Sequence, residues 1–337
     1  MTEKENFMRV IRGEVPAWVP RFTFGPDPFA THPLAAAQVR PGFLNGSRTP
    51  RGGVDIFGVE YVATAEMGGA TLPAPGKFIL EDIRKWRDVI KVPDISGIDW
   101  EAMAKKDMEA LGVDRNQTAV ILGTHVGYFQ HLMNFMGFTE GLCAMSEEPE
   151  EVIALMEYLS DFYVAVSKKA VEYYKPDILT LTDDTATATN PFISPKLFRE
   201  EIKPYHARLA QTGTDAGLPI MMHNCGRCED FIPDWLDYNV SSWNPAQVIN
   251  DLDGIKKKYG NNLVLIGCWD SSGPVGWSDA PEEVVRKAVR DTIDRYATGG
   301  GFIFLGSVYG PIGDKATDDK RRWMTTEYEA YREKPYK

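Results

Sequence analysis

The 337-residue sequence predicts a closed (β/α)8 TIM barrel with an irregular N-terminal extension. Three observations predict it. From Thr118 onward, short apolar runs alternate with amphipathic stretches, and strands alternating with helices mean βα units and a parallel sheet. Polar and reactive side chains collect just after those runs, as they do where barrel strand ends meet at one rim. No Gly-rich dinucleotide fingerprint follows any strand, so an open doubly wound sheet is the second choice. The chain reads as one domain, 1–337. Residues 1–115 hold the extension and the first barrel elements, and residues 116–337 hold regular βα units.

In chain order, Phe7–Gly13 reads as a short helix ending at glycine, and Val19–Phe24 as a first strand. Residues 25 to 80 are rich in Gly and Pro, with Asp55–Val62 as a hairpin arm. Irregular chain of this length is expected to be functional, as a lid or pocket wall. Weak helical signals lie at Ile83–Val92 and Trp100–Leu111. Ala119–Gly123 is a strand. Glu147–Glu151 is an acidic, proline-bearing helix start suited to the positive end of the helix dipole. Behind it, Val152, Leu155, Leu159, Phe162, Val166, Ala170 and Tyr173 recur at helical spacing. Strand Ile178–Thr182 follows, then a helix opened by the Ser194 cap and Pro195. Strands at 218–222, 240–243, 263–267 and 302–306 alternate with helices at Phe231–Leu236, Asp251–Tyr259, Pro281–Ala297 and Asp318–Lys334.

A net charge of −11 without a Lys/Arg-rich run argues against nucleic acid as a partner. No apolar stretch approaches the ~20 residues of a membrane helix. The first residues lack a signal peptide's basic start and apolar centre. A cytoplasmic protein is expected. Four cysteines make no disulfide framework, and a reducing compartment favours free or metal-bound thiols.

The candidate chemistry centres on His223-Asn224-Cys225-Gly226-Arg227-Cys228, just past an apolar run, and on Cys268 past a later one. An imidazole and two thiols at strand ends are a ligand set for a soft-to-borderline metal, most naturally zinc. The competing reading makes the cysteines small buried hydrophobes. His223, Cys225 and Cys268 are the expected ligands, with Cys228, Glu201 and Ser307 as alternatives to Cys268. Asp183, Asp184 and His125 are the catalytic candidates. One of the paired Asp residues would orient a metal-bound histidine or take a substrate proton while the other points away. Tyr128, Phe129, Trp243, Asn244 and Tyr309 are the candidates for a substrate pocket at the rim. Cys143 reads as structural.

Several runs together resemble the uroporphyrinogen decarboxylase superfamily. They are Asp183-Asp184, Phe192–Glu200, Lys203-Pro204-Tyr205, Met222–Gly226, Gly267–Asp270 and Phe302–Pro311. The resemblance covers about residues 118–315 well and the N-terminal third loosely, and it implies a (β/α)8 barrel. The superfamily's haem-pathway decarboxylases carry an arginine-rich signature where this chain has Pro20–Pro26, which lacks it. Its other branch holds zinc methyltransferases that work with corrinoid proteins, several with His-x-Cys and a distant third Cys on the metal. By that resemblance His223 and Cys225 carry over as ligands. The third position falls near Ser307, whereas Cys268 ends an earlier strand.

The resemblance implies a zinc-dependent methyltransferase. It would move a methyl group between a small methylated substrate, such as a methoxyaromatic, or a thiol, and a corrinoid carried by a separate protein. The alternatives are a metal-free decarboxylase of a porphyrinogen-like substrate and a tetrapyrrole-binding protein.

Overall fold

Inward and outward side chains alternate along a strand, so the parity of each strand decides what reaches the barrel axis. In the structure, a computed structural model that describes residues 1–64, 71–124, 127–311 and 313–336, ten strands make two sheets. They are β1 (Ala36–Val39), β2 (Gly52–Val54), β3 (Glu60–Ala63), β4 (Thr71–Pro73), β5 (Ala119–Gly123), β6 (Ile178–Thr182), β7 (Ile220–His223), β8 (Val240–Ala246), β9 (Val264–Gly267) and β10 (Phe302–Phe304). Seven strands pair in parallel in the order β1-β5-β6-β7-β8-β9-β10, with helices between them. Residues 20–22 extend the ring past β10. Arg21 bridges Phe304 in parallel, Phe22 N–H donates to the Phe304 carbonyl at 2.9 Å, and Phe304 N–H donates to that of Pro20 at 2.9 Å. The curled parallel sheet is that of a (β/α)8-type barrel.

Two cores follow from the parity. Ala36, Ile121, Ile178, Met221, Val264, Ile266 and Ile303 point inward and pack together. Helix Glu3–Ile11 plugs the N-terminal end of this inner core with Phe7, Met8, Val10 and Ile11. A Thr2–Glu5 capping box starts that helix. The outward partners, among them Val120, Leu122, Leu179, Leu181, Met222 and Leu265, form the outer core with the helices. The 26-residue helix Pro149–Tyr174 presents Val152, Leu155, Leu159, Phe162, Val166 and Ala170 to it, as their spacing predicts.

The structure differs from the sequence reading mainly before residue 150. β1 lies inside the stretch read as irregular. It is four residues long, and its Ala-Ala-Gln carries no β-branched signal. The strand expected at Val19–Phe24 shrinks to one bridge, because Pro20 has no N–H to donate. Helices Tyr128–Met136 and Phe138–Glu147 were not anticipated. The hairpin arm expected at Asp55–Val62 is found as β3, Glu60–Ala63, with residues 55–59 forming the connection from β2. β2, β3 and β4 form a small antiparallel sheet that helps wall the barrel mouth, the role expected of this region. No helix among the described residues is long and apolar enough to cross a membrane.

Candidate metal centre at the barrel mouth

Parity and register bring the site together. In β6, Ile178 faces inward, so Asp183 turns outward and Asp184 inward. In β7, Met221 faces inward, so His223 does too, and Cys225 follows two residues on. Thr182 pairs with His223, and His223 with Asn244. The result is a three-donor group. One ligand atom each from Asp184, His223 and Cys225 lies within 4.8 Å of the other two. His223 Nε2 is 3.8 Å from Cys225 Sγ and 3.8 Å from Asp184 Oδ1.

The surroundings hold each donor in place. Asn244 Oδ1 accepts from His223 Nδ1–H at 2.7 Å. That bond fixes the tautomer and leaves the Nε2 lone pair facing the thiol and the carboxylate. Asp184 Oδ1 accepts the Cys225 backbone N–H at 2.7 Å, and Oδ2 accepts Gln130 Nε2 at 3.2 Å. Gly226 has φ +94, and a Cβ there would stand 2.5 Å from the Ala186 carbonyl oxygen. Only glycine lets the Cys225 turn lie this close to the loop after β6. Burial, with the Asp184 charge added, pushes the Cys225 thiol well above its ordinary pKa. Such a thiol becomes a stable thiolate when a cation sits beside it. Imidazole, thiol and carboxylate are all zinc donors, and three of them leave a fourth tetrahedral position open. The residues therefore fit a catalytic zinc.

The structure corrects the third expected ligand. Cys268 is not part of the group. Val264 and Ile266 face inward, so strict alternation would carry residue 268 inward as well. Gly267 (φ 139) and Cys268 (φ 59) break that alternation at the strand end. Cys268 N–H donates to the Ala246 carbonyl at 2.7 Å, and the side chain joins the outer core. It lines a separate cavity of about 390 Å³ with Trp269, Val275, Ala288 and Tyr296. Cys228 is buried, and its thiol donates to the carbonyls of Asn224 and Gly226 at 3.6 and 3.5 Å. Glu201 is buried outside the donor group, and the Ser307 carbonyl accepts Trp269 Nε1–H at 2.9 Å.

The other candidates divide. Asp183 is fully buried and accepts from Phe129 N–H and Gln130 N–H at 3.0 Å each, and it lies 3.0 Å from His206 Nε2. It clamps the first turn of helix Tyr128–Met136 and faces away from the mouth. Tyr128 and Phe129 sit on that turn, fully buried, against Tyr205 and Phe192 respectively. Trp243 is outward by parity, packs on Trp235 and donates to the Asn224 carbonyl at 2.9 Å. These three are core residues, because helix and strand geometry turn them from the axis. Tyr309 is 56% exposed and is not among the residues lining the mouth. His125 lies outside the described residues. Asn244 is at the site, as the partner of His223.

Beside the donor group is a cavity of about 270 Å³ walled by Arg40, Arg48, Phe57, Tyr61, Gln130 and His131 among others. A second, of about 240 Å³, shares Arg40 and Thr182 with it. His131 Nε2 is 2.8 Å from Tyr163 Oη, and burial, with Arg48 adding, pushes its pKa down to about 3. It is a neutral wall. None of these side chains stood out in the sequence. Their elements, β1, the small sheet and helix Tyr128–Met136, carried weak signals or none.

The solved structures similar to this chain include a methyltransferase from Methanosarcina mazei. It is 13% identical over 98% of this chain and 99% of that one, with a TM-score of 0.63. A second, described as a vitamin-B12-independent methionine synthase from Listeria monocytogenes, is 12% identical over 66% of each chain, with a TM-score of 0.39. At such identities the first likeness speaks for the fold alone. A search of curated proteins found no match. The uroporphyrinogen decarboxylase (URO-D) family matches residues 66–307, which include the whole donor group, and on that match this chain belongs to the URO-D family.

Proposed function

We propose that this protein is a zinc-dependent methyltransferase that exchanges a methyl group between a small molecule and the corrinoid of a separate protein. The observation that carries the reading is the Asp184–His223–Cys225 group at the barrel mouth. Membership of the URO-D family and the fold shared with a methyltransferase support it. Asp184, His223 and Cys225 would hold the zinc, with Asp184 in the place expected for Cys268. Bound zinc supplies a Lewis acid for the heteroatom that carries or receives the methyl group.

The chain's own residues do the rest. The Cys225 thiolate and Asp184 carboxylate together balance a divalent charge. Asn244 holds the His223 ring through Nδ1–H, so Nε2 keeps its lone pair. Gln130 and the Cys225 N–H hold Asp184 in one orientation. Phe24 meets the His223 ring edge-on at 5.8 Å. The 270 Å³ cavity is at the small end for ligand pockets, which favours a small substrate. A corrinoid would approach from the open side of the mouth on its carrier protein.

The test is metal analysis joined to a transfer assay. The expected result is about one zinc per chain, lost in Cys225→Ala and Asp184→Ala and kept in Cys268→Ala. Zinc-loaded protein should methylate added cob(I)alamin from a methoxyaromatic, or demethylate methylcobalamin with a thiol. Full zinc in both Cys225→Ala and Asp184→Ala would overturn the ligand set. Zinc-loaded protein with no methyl transfer in either direction would overturn the reaction.

A further inference from the structure

We propose that Arg40, with Arg48 beside it, binds an anionic oxyacid group, a carboxylate or sulfonate, on the small molecule that reaches the metal centre. This rests on the proposed transfer reaction for what the molecule does there, but not for how it is held. β1 places Ala36 inward, so Gln38 and Arg40 face inward too. Arg40 lines both cavities at the mouth, and the larger one also touches Asp184 and His223. One molecule could therefore meet the guanidinium and the metal position together.

Arg40 is half-buried, yet it makes no hydrogen bond or ion pair among the described residues. Burial first, and Arg48 second, hold its pKa below the usual arginine range. The fold therefore keeps a charged group where keeping it is costly. Structural arginines in such positions are normally paired.

Arg48 does not relieve it. Its guanidinium stacks 3.8 Å over the Tyr61 ring and, among the described residues, donates at 3.4 Å to Thr71. The carboxylate on this wall, Asp55, already accepts Phe57 N–H at 2.9 Å, Val59 N–H at 3.0 Å and the Tyr61 hydroxyl at 3.4 Å. With Asp184 counted as a ligand of the proposed zinc, two guanidiniums face one committed carboxylate among the described residues. Among the described residues the mouth keeps an excess positive charge inside a chain of net charge −11. A guanidinium's planar fork matches a planar or trigonal oxyanion through paired N–H donors. Leu44, Ile56, Phe57 and Leu72 line the same cavity and suit an apolar body behind the acid group.

The experiment is a calorimetric titration of zinc-loaded protein with 4-methoxybenzoate, 4-methoxybenzenesulfonate and uncharged methoxybenzene. At least one anion should bind about tenfold or more tightly than methoxybenzene, the scale of one charge-assisted hydrogen-bonded pair. The better anion identifies the acid group. Arg40→Gln, with zinc content checked first, should remove the preference, and Arg40→Lys should restore part of it. Arg48→Gln should weaken it as an independent variant. Equal binding of anions and methoxybenzene to the wild type, or an anion preference that survives both Arg40→Gln and Arg48→Gln, would overturn the subsite. An Arg40-dependent anion preference without methyl transfer to corrinoid would uphold the subsite while overturning the reaction.

Discussion

His223 and Asn244 are register partners on adjacent parallel strands, and their side chains meet at 2.7 Å between Nδ1 and Oδ1. This bond decides which imidazole nitrogen is free. With Nδ1 protonated, only Nε2 can face a metal. Asn244→Ala should lower zinc affinity about 10- to 100-fold, the usual cost of losing a partner behind a metal ligand. Competition against a chelator of known strength measures it, and an unchanged affinity would show that the ring is held some other way.

Asp183 and Asp184 are neighbours with opposite duties. Asp183 is buried under two backbone N–H donors and the His206 ring. Removing a buried, fully bonded carboxylate leaves those donors without an acceptor, at about 3–5 kcal/mol. Asp183→Ala should therefore lower the denaturant midpoint sharply while the folded fraction keeps its zinc. Asp184→Ala should do the reverse. Two variants with the same phenotype would remove the distinction drawn from strand parity.

Parity also explains how much of this site was legible in the sequence. Apolar runs locate the strands, and counting by two from an inward residue puts His223, Cys225 and Asp184 on one side. What counting cannot supply is its own interruption. Gly267 and Cys268 take positive φ at the end of β9 and send the thiol to the outer core. A Gly before a Cys was the faint signal there. Tyr128 and Phe129 were misread because the helix they begin has no side-chain cap at Gly127. Its first N–H groups are satisfied from a distance by Asp183, 53 and 54 residues away in sequence. Arg40 was missed because β1 is too short and too poor in β-branched residues to announce itself.

Gly226 offers a test of the backbone that sets Cys225. An added methyl would meet the Ala186 carbonyl oxygen at 2.5 Å, and φ is +94. Gly226→Ala should cost roughly 1–3 kcal/mol, the range for a residue forced into a left-handed conformation. It should also weaken zinc binding, because Cys225 must move with the turn. Denaturant unfolding and chelator competition on the same variant check both effects. An unaltered zinc affinity would mean the Cys225 position does not depend on this close approach.

Glu201 predicts a pH dependence unrelated to the metal. It ends helix Pro195–Glu201, is 2% exposed, and its Oε2 has no hydrogen-bond partner among the described residues. Burial, with Glu200 adding, raises its pKa from 4.5 to about 7. The folded protein thus prefers the protonated acid. Below the unfolded pKa both states are protonated and the group contributes no pH dependence. As pH rises towards the folded pKa, the unfolded chain ionises first and folding loses stability. Above about 7 both states are ionised and the penalty is constant, on the order of 3–4 kcal/mol for a shift of this size. Glu201→Gln removes the titration. The stability difference between variant and wild type should therefore shift in the variant's favour between pH 4.5 and 7 and level off above. Denaturant unfolding of both proteins at pH 4.5, 6 and 8 measures it. A difference that stays flat across the three would show that Glu201 reaches solvent or a partner in the folded state.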